Sequence, residues 1–200
     1  MKSKSLVTFI FISLCISFYS CTSEYTKAVE AGLKSGIRYD SLFLGMKIGQ
    51  TRDDFYKTCW ELNKQKLISE GPGNMTAKYI EPVDPATDSL KRKQILFYGI
   101  FDENNVMQGM QMTYSYYAWS TWNKDMNANE LIKELLAFYE KNYPKNPFME
   151  VDLGLKDIKA YAKIDGNRQI TIYQQNEKDV VVKIEDLSYK FNKSISARGN

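Results

Sequence analysis

Three kinds of residue in this chain could carry chemistry: paired carboxylates, cysteines and clustered aromatic rings. Histidine is absent from all 200 residues. Its absence removes Ser-His-Asp and Cys-His nucleophilic arrangements, imidazole metal sites and histidine pH switches together. Chemistry built on carboxylates, lysine or tyrosine survives that test. Glu150 and Asp152, in MEVDL, would share one face of a strand, and two carboxylates about 5–9 Å apart can hydrolyse a glycosidic bond. Two acids at alternating positions describe a solvated strand face equally well. DENN at residues 102–105 has the residue types of a calcium loop but lacks its glycine and closing glutamate, and reads as a hairpin turn. Asp165-Gly166 reads as turn chemistry too. No nucleophile elbow, phosphate-binding glycine loop or metal-ligand cluster occurs, so the sequence predicts neither metal nor cofactor.

The cysteines are Cys15, Cys21 and Cys59. Cys59 falls at an apolar position well inside a predicted helix, where a thiol behaves as a small hydrophobe with no cause for a lowered pKa. Cys15 lies in LVTFIFISLCISFY, an apolar run that follows the basic start MKSKS and ends at the small residue Ser20. That is the shape of an export signal, and the run is short for a membrane-spanning helix, which needs about 20 apolar residues. A retained anchor helix is the competing reading of the segment. Cys21 could pair with Cys59 in an oxidising compartment. Alternatively it could carry lipid.

Ser20-Cys21 resembles the end of a bacterial lipobox, in which a small residue precedes an obligatory cysteine. Phe18 stands where leucine is usual, and Tyr19 is bulkier than expected. The resemblance implies cleavage before Cys21, acylation of its thiol and its new amine, and a palmitate-type lipid anchor in a Gram-negative envelope. With Thr22 rather than Asp next in line, it implies the outer membrane, on the periplasmic side. Each buried methylene contributes about 0.8 kcal/mol, so two or three acyl chains hold a protein firmly. Without Lys2 and Lys4 the formal charge falls from +3 to +1, a balance that gives no reason to expect nucleic acid as a partner.

These residues need elements to position them. The sequence divides into a signal peptide (1–20), a polar tether (21–40) with at most a frayed helix, a single α+β domain (41–190) and a tail (191–200). Within the domain, TRDDFYKTCWELNKQKLI opens on Thr51 with Asp54 three residues on, close to a capping box, and GlyProGly at 71–73 ends it. NANELIKELLAFYEKNY repeats that logic with Asn127 and Glu130, and stops before Pro144. Aligning Thr51 with Asn127 places Phe55 on Leu131, Cys59 on Leu135 and Leu62 on Phe138. Each helix is followed by three runs that alternate or are continuously apolar: TAKYIEP, KQILFYGIF and VMQGMQMTYSYY, then DIKAYAKI, RQITIYQ and DVVVKIED. The fold class is therefore α+β: one antiparallel sheet with two helices on one face, built from a duplicated α-β-β-β unit with repeats at about 45–120 and 124–190.

Gly49, Thr51 and Phe55, in LGMKIGQTRDDF, resemble the helix entry of small outer-membrane lipoproteins of the BamE type. The wider group includes the β-lactamase-inhibitor-like fold. The resemblance implies a fold of helices backed by an antiparallel sheet, and nothing catalytic.

The aromatic residues offer the best candidate for binding. YSYYAWSTW, residues 114–122, carries five rings in nine positions. Met110, Met112, Tyr114 and Tyr116 should share the core face of a strand. Tyr117, Trp119 and Trp122 should point away from it or lie on the following connection, with Tyr161 and Tyr173 on the sheet's open face. Rings with a polar tip suit protein or glycan contacts; the same rings could simply lock the loop onto the sheet. The sequence therefore predicts a non-catalytic envelope lipoprotein that binds a partner or small ligand through these five residues. The alternatives are a carboxylate-based glycoside hydrolase and an inhibitor of a secreted enzyme with a saddle-shaped sheet surface.

Overall fold

The computed structural model describes residues 23–83, 89–154 and 158–191. The proposed lipobox at Ser20-Cys21 lies outside them. The α-helices include α1 (Glu24–Lys34), α2 (Arg52–Lys64) and α3 (Ala128–Asn142), and the described chain ends in a further helical segment at 187–191. Eight strands form one antiparallel sheet. They are β1 (Ile68–Glu70), β2 (Ala77–Ile80), β3 (Lys93–Phe101), β4 (Met107–Tyr116), β5 (Met149–Val151), β6 (Ala160–Asp165), β7 (Arg168–Gln174) and β8 (Val180–Asp186).

The α+β class holds, and the duplicated unit is larger than the sequence indicated. The sheet order is β1-β2-β3-β4-β8-β7-β6-β5. Each unit is one helix followed by four strands, and the equivalent last strands β4 and β8 pair at the centre, Met112 opposite Val182. Antiparallel pairing of equivalent strands relates the units by an approximate twofold axis normal to the sheet, which puts α2 and α3 on the same side. The additional strands, β1 and β5, have three residues each. Such short edge strands carry too few positions for an alternation to show.

The caps act as their sequences specify. Thr51 Oγ1 accepts from Asp54 N at 3.1 Å, while the Asp54 carboxylate accepts from Thr51 N. The Asn127 side chain accepts from the amides of Asn129 and Glu130. However, α2 stops at Lys64, before GlyProGly. Lys66 takes a left-handed conformation (φ 61°), and its turn lays Ile68 into the core as the first residue of β1. DENN forms the β3–β4 hairpin turn, Asp102 Oδ1 accepting from Asn104 N and Val106 N.

The main core lies between the sheet and the α2–α3 layer, where Phe97, Met110, Met112, Ile170, Ile172 and Val182 are fully buried with Leu131 and Leu135 of α3. The segment expected to be a polar tether instead docks on the opposite side of the sheet. Helix α1 packs on β6: Val29 is fully buried against Ile164 and Leu187, and the Tyr25 hydroxyl donates to Gln169 Oε1 at 2.7 Å. The contact relies on small residues. A Cβ at Gly32 would stand 2.7 Å from the Gly166 carbonyl oxygen, closer than packed atoms tolerate, so glycine permits the approach.

From α1 the chain crosses the end of the sheet to reach the helix side. Ile37 O accepts from Asn167 N, Tyr39 N donates to Asn167 Oδ1, and Arg38 pairs with Asp186 at 3.2 Å. The crossing ends at Leu42, Phe43 and Leu44, which join the main core.

Candidate functional site

Where the crossing segment meets α3, the helix layer leaves a gap over the central strands. It is a cavity of about 750 Å³ bounded by Phe43 and Leu44, by Tyr79, Ile95, Met112 and Tyr114 on the sheet, and by Leu135, Phe138, Tyr139 and Tyr143 at the end of α3. Its size and aromatic walls match those of ligand sites. Leu44 holds φ at 54°, a conformation that costs a non-glycine residue about 1–2 kcal/mol; backbone strain of this kind tends to collect at functional sites.

Besides Lys141 and Tyr143, the polar groups of this cleft fall into two sets. At the mouth, Lys93 Nζ lies 3.1 Å from Glu134 and 4.0 Å from Glu81, and the Tyr116 hydroxyl donates to Glu134 at 2.8 Å. Burial, followed by the adjacent Glu134 carboxylate, raises the Tyr116 pKa above its ordinary value. On the floor, the hydroxyls of Tyr114 and Tyr139 lie 3.0 Å apart, with Met112 Sδ 3.7 Å from the first and 3.9 Å from the second. Desolvation raises both pKa values, so both phenols stay protonated at neutral pH.

A second cavity, of about 520 Å³, lies between α2 and β1–β3. Cys59, Tyr56, Trp60 and Met75 border it, with Met75 82% exposed. Cys59 is half-buried rather than fully enclosed, and burial pushes its thiol up to about 11. Phe43, in the wall of the larger cavity, lies edge-on 5.5 Å from Phe97, which borders the smaller one, and 5.4 Å from Tyr79.

No protein family, curated protein or solved structure matches this chain.

The structure disperses the five aromatic residues that the sequence grouped. Tyr161 pairs with Ile172 and so stands on the helix side, whereas Tyr173, opposite Val181, stands on the open side. A period of two shows that residues share a face but not which face, and it sets no phase between one strand and another. Tyr117 is exposed and stacked by the Arg92 guanidinium at 4.4 Å. Trp119 packs against the main core, with Lys178 over its ring. Of the five, Trp122 alone projects freely, at 91% exposure. Met110, Met112, Tyr114 and Tyr116 are buried as expected, but Tyr114 also forms the floor of the larger cleft.

Glu150 lies on edge strand β5, exposed and 3.7 Å from Lys159 Nζ, while Asp152 accepts from Gly154 N. Neither carboxylate borders either large cavity. Among the described residues no group of three or more carboxylate or thiol side chains is placed to hold a metal ion, and no helix is long and apolar enough to cross a membrane.

Beyond the cleft floor the aromatic contacts continue into a buried charge cluster. Tyr139 stacks on Tyr143, Tyr143 on the Arg168 guanidinium at 4.4 Å, and Arg168 on Tyr39 at 4.8 Å. Asp165 lies between two cations, 3.8 Å from Lys163 and 3.9 Å from Arg168, all three nearly inaccessible to water. Asp165, expected only as a turn residue, is thus also the counter-ion of this cluster.

Proposed function

We propose that the protein is a non-catalytic, lipid-anchored envelope protein that holds a small, largely apolar ligand in the cleft between α3 and the 42–44 segment. The aromatic-walled cleft of about 750 Å³ supports this reading: volume, apolar lining and a few convergent polar groups are what small-molecule sites share. It replaces the open-face and loop patch read from sequence, because the rings of that patch do not adjoin. Lipid attachment at Cys21 rests on the lipobox resemblance. Mass spectrometry of the mature protein from a Gram-negative envelope would show the acyl mass there, and an unmodified, cleaved chain would refute the anchor.

The cleft is tested with N-phenyl-1-naphthylamine, which fluoresces on entering apolar sites. Ala137 borders the cleft on the exposed side of α3, so Ala137→Trp should plug it without disturbing the core. The expected outcome is saturable binding by the wild type and at least tenfold weaker binding by the variant, with unchanged circular dichroism. Equal binding by both proteins would place the probe elsewhere and overturn the reading.

A further inference from the structure

The cleft floor restricts what the ligand can be; the inference rests on the cleft being the binding site. Tyr114 and Tyr139 bring two hydroxyl protons to one place, 5% and 3% exposed as residues. The hydroxyls are 3.0 Å apart, and either can donate to the other. That contact uses one proton. The other has Met112 Sδ as its acceptor, at 3.7 Å from Tyr114 or 3.9 Å from Tyr139, and a thioether is a weak acceptor. Whichever way the pair is oriented, one buried O–H is poorly satisfied, and it belongs to a residue that lines the cavity. Buried donors without good acceptors are uncommon in folded proteins.

Charge narrows the class further. The cations bordering the cleft are Lys93 and Lys141, and Lys93 is already engaged by Glu134 and Glu81 at the mouth. The floor residues Met112, Tyr114 and Tyr139 are neutral. A carboxylate or phosphate seated there would lose its hydration with only phenol hydroxyls in return, and an ammonium would meet no anion. We infer that the cleft takes a neutral hydrophobic molecule whose carbonyl or hydroxyl oxygen inserts against the Tyr114–Tyr139 hydroxyl pair, with its apolar body between Phe43, Leu44 and Phe138.

Two probes that differ in the acceptor test this. 2-Acetylnaphthalene and 2-ethylnaphthalene have nearly the same shape, and only the first carries a carbonyl. Each competes with N-phenyl-1-naphthylamine on the wild type and on the double variant Tyr114→Phe/Tyr139→Phe. The expected result is a preference of about tenfold for the ketone in the wild type, the size of one hydrogen bond, and its loss in the variant while the hydrocarbon still binds. The bound ketone's infrared carbonyl band should also move to lower frequency in the wild type, a readout that does not depend on the variant folding. Equal affinity of the two probes for the wild type, with an unshifted carbonyl band, would overturn the ligand class and leave the cleft standing. Failure of both probes to displace the dye would overturn the cleft reading itself.

Discussion

At the scale of single residues, the structure makes opposite predictions for two groups. Cys59 borders the smaller cavity, yet burial holds its thiol up at about 11. Only the thiolate is nucleophilic, so raising the pKa lowers reactivity below it. Iodoacetamide alkylation should be slow at pH 8 and keep accelerating up to about pH 11; a rate that levelled off near pH 8.5 would mean an unperturbed, accessible thiol. Asp165 is the sensitive group. Asp165→Asn leaves Lys163 and Arg168 buried without their counter-ion, and such a loss costs about 3–5 kcal/mol. Lys163→Met removes one of two cations that face a single carboxylate and leaves Asp165 paired with Arg168; no buried charge is left without a counter-ion, so it should cost less. Urea denaturation of the two variants measures the contrast, and equal midpoints would mean that the cluster does not act through charge.

At the scale of elements, α1 is the least obvious attachment. Gly32 lies against Gly166 and Ile164, so Gly32→Ala must lift the helix. Overpacking of this kind costs about 1–3 kcal/mol, and trypsin should then cut faster at Lys34 and Arg38; an unchanged cleavage rate would show that α1 is already loose. Tyr25, Ala28, Val29 and Leu33 lie on one face of EYTKAVEAGLK at helical spacing, so an amphipathic helix is written there; what the segment does not show is its docking site, because Ile164 and Leu187 come from the far end of the chain. Helices α2 and α3 were legible because Thr51 and Asn127 cap them through local hydrogen bonds that depend on a few adjacent residues. The long strands were legible from their apolar runs. The cleft was not, since its walls come from a 42–44 turn, four strands and a helix. Tyr114 could be read as a core residue, but nothing local says that its hydroxyl meets that of Tyr139, 25 residues later.

At the scale of the molecule, the duplication makes stability indivisible. The central β4–β8 pair joins the two units through six residue pairs, Gly109↔Glu185 to Tyr114↔Val180, and the core beneath it draws on both. Amides of β4 and β8 should therefore exchange hydrogen most slowly, at the free energy of global unfolding, and those of β1 and β5 fastest. Two separate melting transitions, one for each unit, would contradict this. The course of the chain between α1 and α2 carries a mechanical consequence. Tension applied at α1 reaches first its contact with β6, then the hydrogen bonds from Ile37 and Tyr39 to Asn167, and only then Leu42 to Leu44. The crossing acts as a clamp between the point of traction and the cleft. While Asn167 holds, tension is absorbed at the rim of the sheet; once it yields, the strain passes directly into Phe43 and Leu44, so the end by which the chain would be tethered leads into one wall of its cleft.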